Sequence, residues 1–260
     1  SYLKISRSVT CEPSQVIITS GTHQSIDLCA RLLTDVGDTA LIENPCHWAF
    51  PTVLTASGMH IAAGQIDTQG LNLEESQLTE STRLAVVSPS HQYPTGVVMP
   101  LTRRLELLQS ARARKLWILE DDYDSEFRYD GAPLPSLQGL DTDGRVIYIG
   151  TFSKAMFAGI RLGYLVVPPH LAEAFAKAST KIYRSGSLHM QAALADFMHD
   201  GYFHQHIRKM RTEYASRQEL LRSSLQSSFG SALELSEARA GLHLYARFTD
   251  DINYQRLIAE

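Results

Sequence analysis

Six short apolar runs in this chain fail to alternate with polar residues, and that failure limits the fold more than any other feature. "QVIIT" (15–19), "TALIE" (39–43), "RLAVVS" (83–88), "LWILED" (116–121), "RVIYIG" (145–150) and "LGYLVV" (162–167) carry apolar residues at successive positions. A strand with one wet face would place a polar residue at every second position, so these runs read as strands covered on both faces. Segments of helical period lie between them: Ile26, Cys29, Ala30 and Leu33 share one helical face, and so do Leu101, Leu105, Leu108 and Ala111. Strand and helix in alternation predict an α/β domain whose mostly parallel, mixed sheet is sandwiched by helices. After residue 168 the pattern changes to long helical stretches, 169–183, 188–199 and 201–226, and then to one strand-like piece, "GLHLYARF" (241–248). That shift predicts a large domain over 1–198 and the beginning of a smaller α+β unit over 199–260. "INYQRLIAE" reads as a helix left unfinished, so both ends are expected to continue into something longer.

Composition narrows the function classes. With 44% hydrophobic and 20% charged residues, the 260-residue chain can bury a core without disulfide staples. A formal net charge of −4 makes this stretch a poor holder of nucleic acid by itself. No run of 18 apolar residues and no signal-peptide pattern at "SYLKISRSV" argue against a membrane partner. Cys11, Cys29 and Cys46 are odd in number and lack CxxC spacing, which suits free thiols in a reducing cytoplasm. His204 and His206 lie close together, but no HExxH or matching carboxylate accompanies them, and no metal site is expected.

In open α/β sheets, ligands bind outside the carboxyl ends of the strands. Three such ends carry distinctive groups. "SGTH" (20–23) opens a helix, where Gly21 permits close backbone approach and free N–H groups face an anion; a plain helix cap by Ser20 or Thr22 is the competing reading. "LEDDYDSEF" (119–127) is either a solvated acidic loop or a carboxylate placed to hold a protonated ring nitrogen. Residues two apart on an extended chain face the same way, so Asp121 and Tyr123 would present an acid and a phenol together. "GTFSK" (150–154) is either a solvent-facing turn or a reactive amine. In the second case a mostly apolar pocket beside cationic Arg161 favours a neutral, nucleophilic Lys154, while Thr151, Ser153 and Arg161 bind a phosphate.

The order SGTH, ENP, PTG, EDDY, GTFSK and Arg161 resembles the fold-type-I enzymes that use pyridoxal 5′-phosphate (PLP), the aspartate-aminotransferase fold. More narrowly, "SPSHQYPTG" (88–96), "LEDDYDSEFRY" (119–129) and "YIGTFSKAMFAGIRLGYLVVP" (148–168) resemble the MocR type of GntR-family bacterial regulators. In that type a winged-helix DNA-binding domain, absent from this chain, precedes an aminotransferase-like domain. The resemblance implies that Lys154 forms the Schiff base with PLP, Asp121 pairs with the ring nitrogen, and Tyr123 bonds the ring hydroxyl. It implies a phosphate cup of Thr22, His23, Thr151, Ser153 and Arg161, and Gly21 is counted with the cofactor-binding residues. Two positions depart from the wider family pattern. His47, followed by Trp48, stands where many members stack an aromatic ring on the cofactor, and Tyr93 replaces an asparagine that bonds the ring hydroxyl. The arginine that grips a substrate carboxylate falls beyond the chain, with Arg247 and Arg256 only weak substitutes.

Two functions follow from the resemblance. The first is an effector domain that senses a small amine or amino acid through Lys154 and switches DNA binding by the fused domain. The second is a working aminotransferase, of the aminoadipate or kynurenine type. A homodimer in the cytoplasm is expected in either case.

Overall fold

The computed structural model describes residues 2–76, 78–131, 134–236 and 240–250, with the side chains of Ile5 and Ser6 excepted. Its strands are β1 (Val16–Thr19), β2 (Thr39–Asn44), β3 (His60–Asp67), β4 (Gly70–Asn72), β5 (Thr82–Val87), β6 (Trp117–Asp122), β7 (Val146–Thr151), β8 (Gly163–Val166), β9 (Leu233–Leu235) and β10 (Ala246–Phe248). The helices are α1 (Tyr2–Arg7), α2 (Thr22–Leu33), α3 (Ala49–Ala56), α4 (Leu101–Arg114), α5 (Leu137–Leu140), α6 (Phe152–Ala155), α7 (Ala172–Tyr183), α8 (Leu188–His199) and α9 (Tyr202–Phe229).

Strands β1 to β8 form one sheet in the order β1-β8-β7-β6-β5-β2-β3-β4. The pairs β3–β2, β2–β5, β5–β6 and β6–β7 are parallel, whereas β8 runs antiparallel to both β7 and β1, and β4 runs antiparallel to β3. The sheet is therefore mostly parallel and mixed, as the unbroken apolar runs predict. One face packs Ile17, Ile42, Val86, Leu119, Ile147 and Leu165 against helices α2, α3 and α7. The other packs Leu41, Val87, Ile118 and Val146 against α4, and Tyr148, Tyr164 and Val166 against Phe203 and Ile207 of α9. Consecutive strand residues thus go to opposite layers, and both layers are dry.

Three points of the sequence reading need correction. β3 and β4 were not anticipated, because "HIAAGQID" lacks a run of bulky apolar residues and β4 is very short. The buried face of α4 is Arg104, Leu107 and Ala111, while Leu101 and Leu105 are exposed. A buried arginine reverses the periodicity there. Its guanidinium donates to the carbonyls of Met99, Pro89 and Pro135, at 2.9, 2.7 and 3.0 Å. Of "GLHLYARF", only Ala246–Phe248 is strand, pairing antiparallel with β9 in a separate two-stranded sheet. The helix read over "INYQRLIAE" lies outside the described residues. Among the described residues no helix is long and apolar enough to cross a membrane.

Candidate functional site

The carboxyl ends of β1, β6 and β7 and the start of β8 meet at one edge of the sheet. β8 begins at Gly163, which pairs with Thr19 at the end of β1 and with Thr151 at the end of β7. A Cβ on Gly163 would lie 2.9 Å from the Gly21 Cα, so a side chain there would force these segments apart. Gly21 is the N-cap of α2 with φ 118°, a backbone conformation that glycine alone adopts without strain, and no side chain caps the helix. The plain cap by Ser20 or Thr22 is thus not what forms; the Ser20 hydroxyl and amide instead bond Gln24 Oε1 at 2.7 and 2.8 Å. Thr22 and His23 occupy the uncapped first turn, where amides point outward. The guanidinium of Arg161 lies over Gly21, its three nearest atoms 3.7–3.9 Å from where a Cβ would stand. A guanidinium facing an uncapped helix start makes a cradle for a dianion.

Lys154 and Ser153 lie on α6, immediately after β7. The Thr151 hydroxyl caps this turn by accepting from the Ser153 amide at 3.2 Å, which leaves its own hydrogen to donate outward. Lys154 is exposed, not enclosed in the mostly apolar pocket read from the sequence. Its neighbours are imidazoles: its charge helps hold the titration of both His47 and His243 below the usual histidine range, although burial of those rings is the larger cause.

The acidic run after β6 is not a solvated loop. Asp121, Asp122 and Asp124 are all buried. Asp122 points to the α1 side, where it pairs with Arg7 Nε at 3.0 Å, accepts from the Tyr148 hydroxyl at 2.6 Å and bonds Ser125. Asp121 points to the α2 side, and among the described residues no hydrogen bond or ion pair reaches it. Burial pushes its carboxyl up to about 8, and the charges of Asp122, Asp124 and Glu43 add to the effect. Glu43, at the end of β2, is raised by burial to about 7; its Oε1 is buried with no hydrogen-bond partner among the described residues. The edge therefore holds a carboxyl group that lacks a cation.

Tyr123 follows Asp121 and is held protonated far above the ordinary phenol range, by burial first and then by Asp124 and Asp121. Its hydroxyl lies 3.2 Å from His91 Nδ1. His47 is half-buried between Trp48, Tyr93 and Phe50, with ring centroids at 5.4, 5.6 and 5.9 Å, and its Nδ1 accepts from the Ala49 amide at 3.2 Å. Trp48 is 64% exposed and touches His23 at 5.1 Å. Arg247 is committed to Glu234 across β9–β10 at 2.5 Å, and Arg256 lies outside the described residues.

Three residues of this region were missed by sequence reasoning. His91, Asp124 and His243 bring potential ligand atoms within 4.8 Å of one another. They come from three distant segments, so no local spacing announces them; the acidic Asp124 inside "DDYDSEF" was the one available signal.

The donor set defines a class. A buried carboxyl with no cation among the described residues suits a protonated ring nitrogen, the Gly21–Arg161 cradle suits a phosphate, and Lys154 offers an exposed amine on α6, directly after β7. Residues 1–259 match the family model for aminotransferase class I and II, and the chain belongs to that family. Membership implies pyridoxal phosphate as the cofactor, and the groups present fit it. Among particular relatives, the chain is 43% identical to the probable rhizopine catabolism regulatory protein MocR of Rhizobium meliloti, over 95% of this chain and 50% of that protein. It is 38% identical to the HTH-type transcriptional regulator YhdI of Bacillus subtilis, over 95% of this chain and 52% of that one. The chain thus spans about half the length of the curated relatives it matches. A crystal structure of Pyrococcus horikoshii kynurenine aminotransferase shares the fold, with a TM-score of 0.87 at 24% identity, covering 99% of this chain and 66% of that one.

Proposed function

We propose that this chain is the cofactor-binding, effector-sensing part of a MocR-type transcription regulator, in which DNA is held by a winged-helix domain fused on its N-terminal side. The observation that carries this reading is likeness to such regulators along 95% of the chain, combined with a site whose groups all suit PLP. When bound, the cofactor supplies an aldehyde that takes up amines as an imine and a ring that draws electrons from the adjoining carbon.

The chain's own residues do the rest. Lys154 would hold the aldehyde and supply the amine that an incoming amino compound would replace. Asp121 holds the ring nitrogen in its protonated form, which relieves the burial of its own charge. The α2 start, Thr151, Ser153 and Arg161 bind the phosphate, and His47 covers the ring. The separate β9–β10 sheet supports a division near residue 198, with the later unit moving when the effector binds. We further propose a cytoplasmic homodimer.

The complete set of Lys154, Asp121, Tyr123 and Arg161 also favours a second reading, a working aminotransferase. There the freed Lys154 amine would move the proton at the substrate Cα.

One titration tests the cofactor assignment. The full-length protein mixed with PLP is expected to show a yellow band and a borohydride-trappable adduct, both lost in Lys154→Ala. An unchanged adduct in that variant overturns the role given to Lys154. Operator binding that responds to an amine marks the regulator; rapid amino-group transfer to 2-oxoglutarate without any operator marks the enzyme.

A further inference from the structure

Tyr123 takes part in a contact that the proposed function leaves unused. Its hydroxyl oxygen lies 3.2 Å from His91 Nδ1, and the same nitrogen lies 3.1 Å from Asp124 Oδ2. A ring nitrogen carries at most one hydrogen, so two arrangements compete. With hydrogen on Nδ1, that hydrogen is shared between the carboxylate and the phenol oxygen, and the phenol's own hydrogen points elsewhere. With a bare Nδ1, the phenol hydrogen is consumed on it, and a nitrogen lone pair is left against a carboxylate. The charge on Asp124 selects the first arrangement, because a carboxylate opposite an imidazole nitrogen fixes the tautomer with hydrogen there.

The surroundings keep this geometry in place. His91 is 4% and Asp124 1% exposed. Asp124 Oδ2 also accepts the Leu242 amide at 3.0 Å, and the His243 ring packs 4.4 Å from the His91 ring. Gly241 packs so closely on His91 that a Cβ could not fit between them. Among the described residues His91 is the one hydrogen-bond partner of the Tyr123 hydroxyl. Tyr93, standing where the wider family pattern has asparagine, meets Tyr123 edge-on at 6.3 Å, and its hydroxyl makes no hydrogen bond among the described residues.

We infer that the Asp124–His91 pair is a positioning device that frees the Tyr123 hydrogen for donation to the oxygen substituent of the cofactor ring. The inference rests on the PLP reading above. Asp124 and His91 act through Tyr123 and do not touch the ring themselves. The device replaces the asparagine donor that this chain lacks.

The test is the visible absorption band of PLP bound to the full-length protein, with the PLP dissociation constant measured alongside. Tyr123→Phe is expected to move the band and weaken PLP by about tenfold, the order of one hydrogen bond to a charged group. Asp124→Asn is expected to move the band in the same direction, and to move it no further when combined with Tyr123→Phe, since both changes remove one interaction. Should Asp124→Asn not fold, His91 decides. His91→Asn, whose amide nitrogen can stand in for Nδ1–H, is expected to keep the wild-type band, and His91→Phe to lose it. Wild-type bands in Asp124→Asn and His91→Phe, with a moved band in Tyr123→Phe, overturn the positioning role and leave the PLP reading standing. A wild-type protein that takes up no PLP overturns both.

Discussion

Asp121 and Asp122 are neighbours on β6, equally buried, and their environments differ completely. Asp122 faces the α1 layer, where Arg7, Tyr148 and Ser125 satisfy its oxygens. Asp121 faces the α2 layer and finds neither a cation nor a donor among the described residues. The alternation of a strand assigns the two carboxylates to different layers, and the layers treat them differently: one is built into the fold, and the function proposed above gives the other to a ligand. A chemically identical pair thus separates structure from function within a single dipeptide.

The largest expected effect breaks the comparison on the structural side. Asp122→Asn takes one opposing charge, at 3.0 Å, from the buried Arg7 and should cost about 3 kcal/mol of unfolding free energy, measured with denaturant. A change near zero would show that Asp122 does not support the fold. On the ligand side, Asp121→Asn should weaken PLP by about a hundredfold, roughly 2.7 kcal/mol, because an amide cannot neutralise a protonated ring nitrogen. The same variant should leave the ligand-free protein at least as stable as wild type. A loss of stability as large as that of Asp122→Asn would erase the distinction.

Acidity sharpens it further. The Asp121 carboxyl is raised to about 8 when folded, so the folded chain binds its proton more tightly than the unfolded one. Its contribution is fully present below the ordinary carboxylate range and is lost as pH rises toward 8. Glu43, raised to about 7, acts with the same sign. The melting temperature of ligand-free protein should therefore fall steadily from about pH 5 to pH 8. PLP should flatten the fall by pairing the Asp121 charge, and Asp121→Asn should flatten it without PLP. The smallest effect lies at the rim: Trp48→Ala should change stability by less than about 0.5 kcal/mol, and His47→Ala should weaken PLP more than Trp48→Ala does.

Much of the fold was legible because its strands are covered on both faces, and their residues carry no compromise with water. The six runs match β1, β2, β5, β6, β7 and β8 to within about a residue at each end. Where a local pattern was broken by a tertiary partner, legibility failed. Arg104 is buried on α4 because three carbonyls surround it, and nothing near it in sequence reveals them. "GLHLYARF" looked like a strand, but Gly241, Leu242 and His243 are engaged with Phe127, Asp124 and His91. The groups at strand ends were readable as candidates since topology alone brings such ends together. The partners of those groups were not. That Asp122 is occupied and Asp121, among the described residues, is unpaired depends on which face each takes.

The placement of β1 beside β8 has a consequence for how the protein comes into being. Arg161 stands over Gly21, so the phosphate cradle joins residues separated by most of the large sheet. A nascent polypeptide that has emerged only as far as β6 carries Gly21 and Asp121 but not Arg161, and closing so long a loop is entropically slow. If the proposed cradle holds the cofactor, its capture would be a late event in biogenesis, one that locks a finished sheet and cannot template an unfinished one.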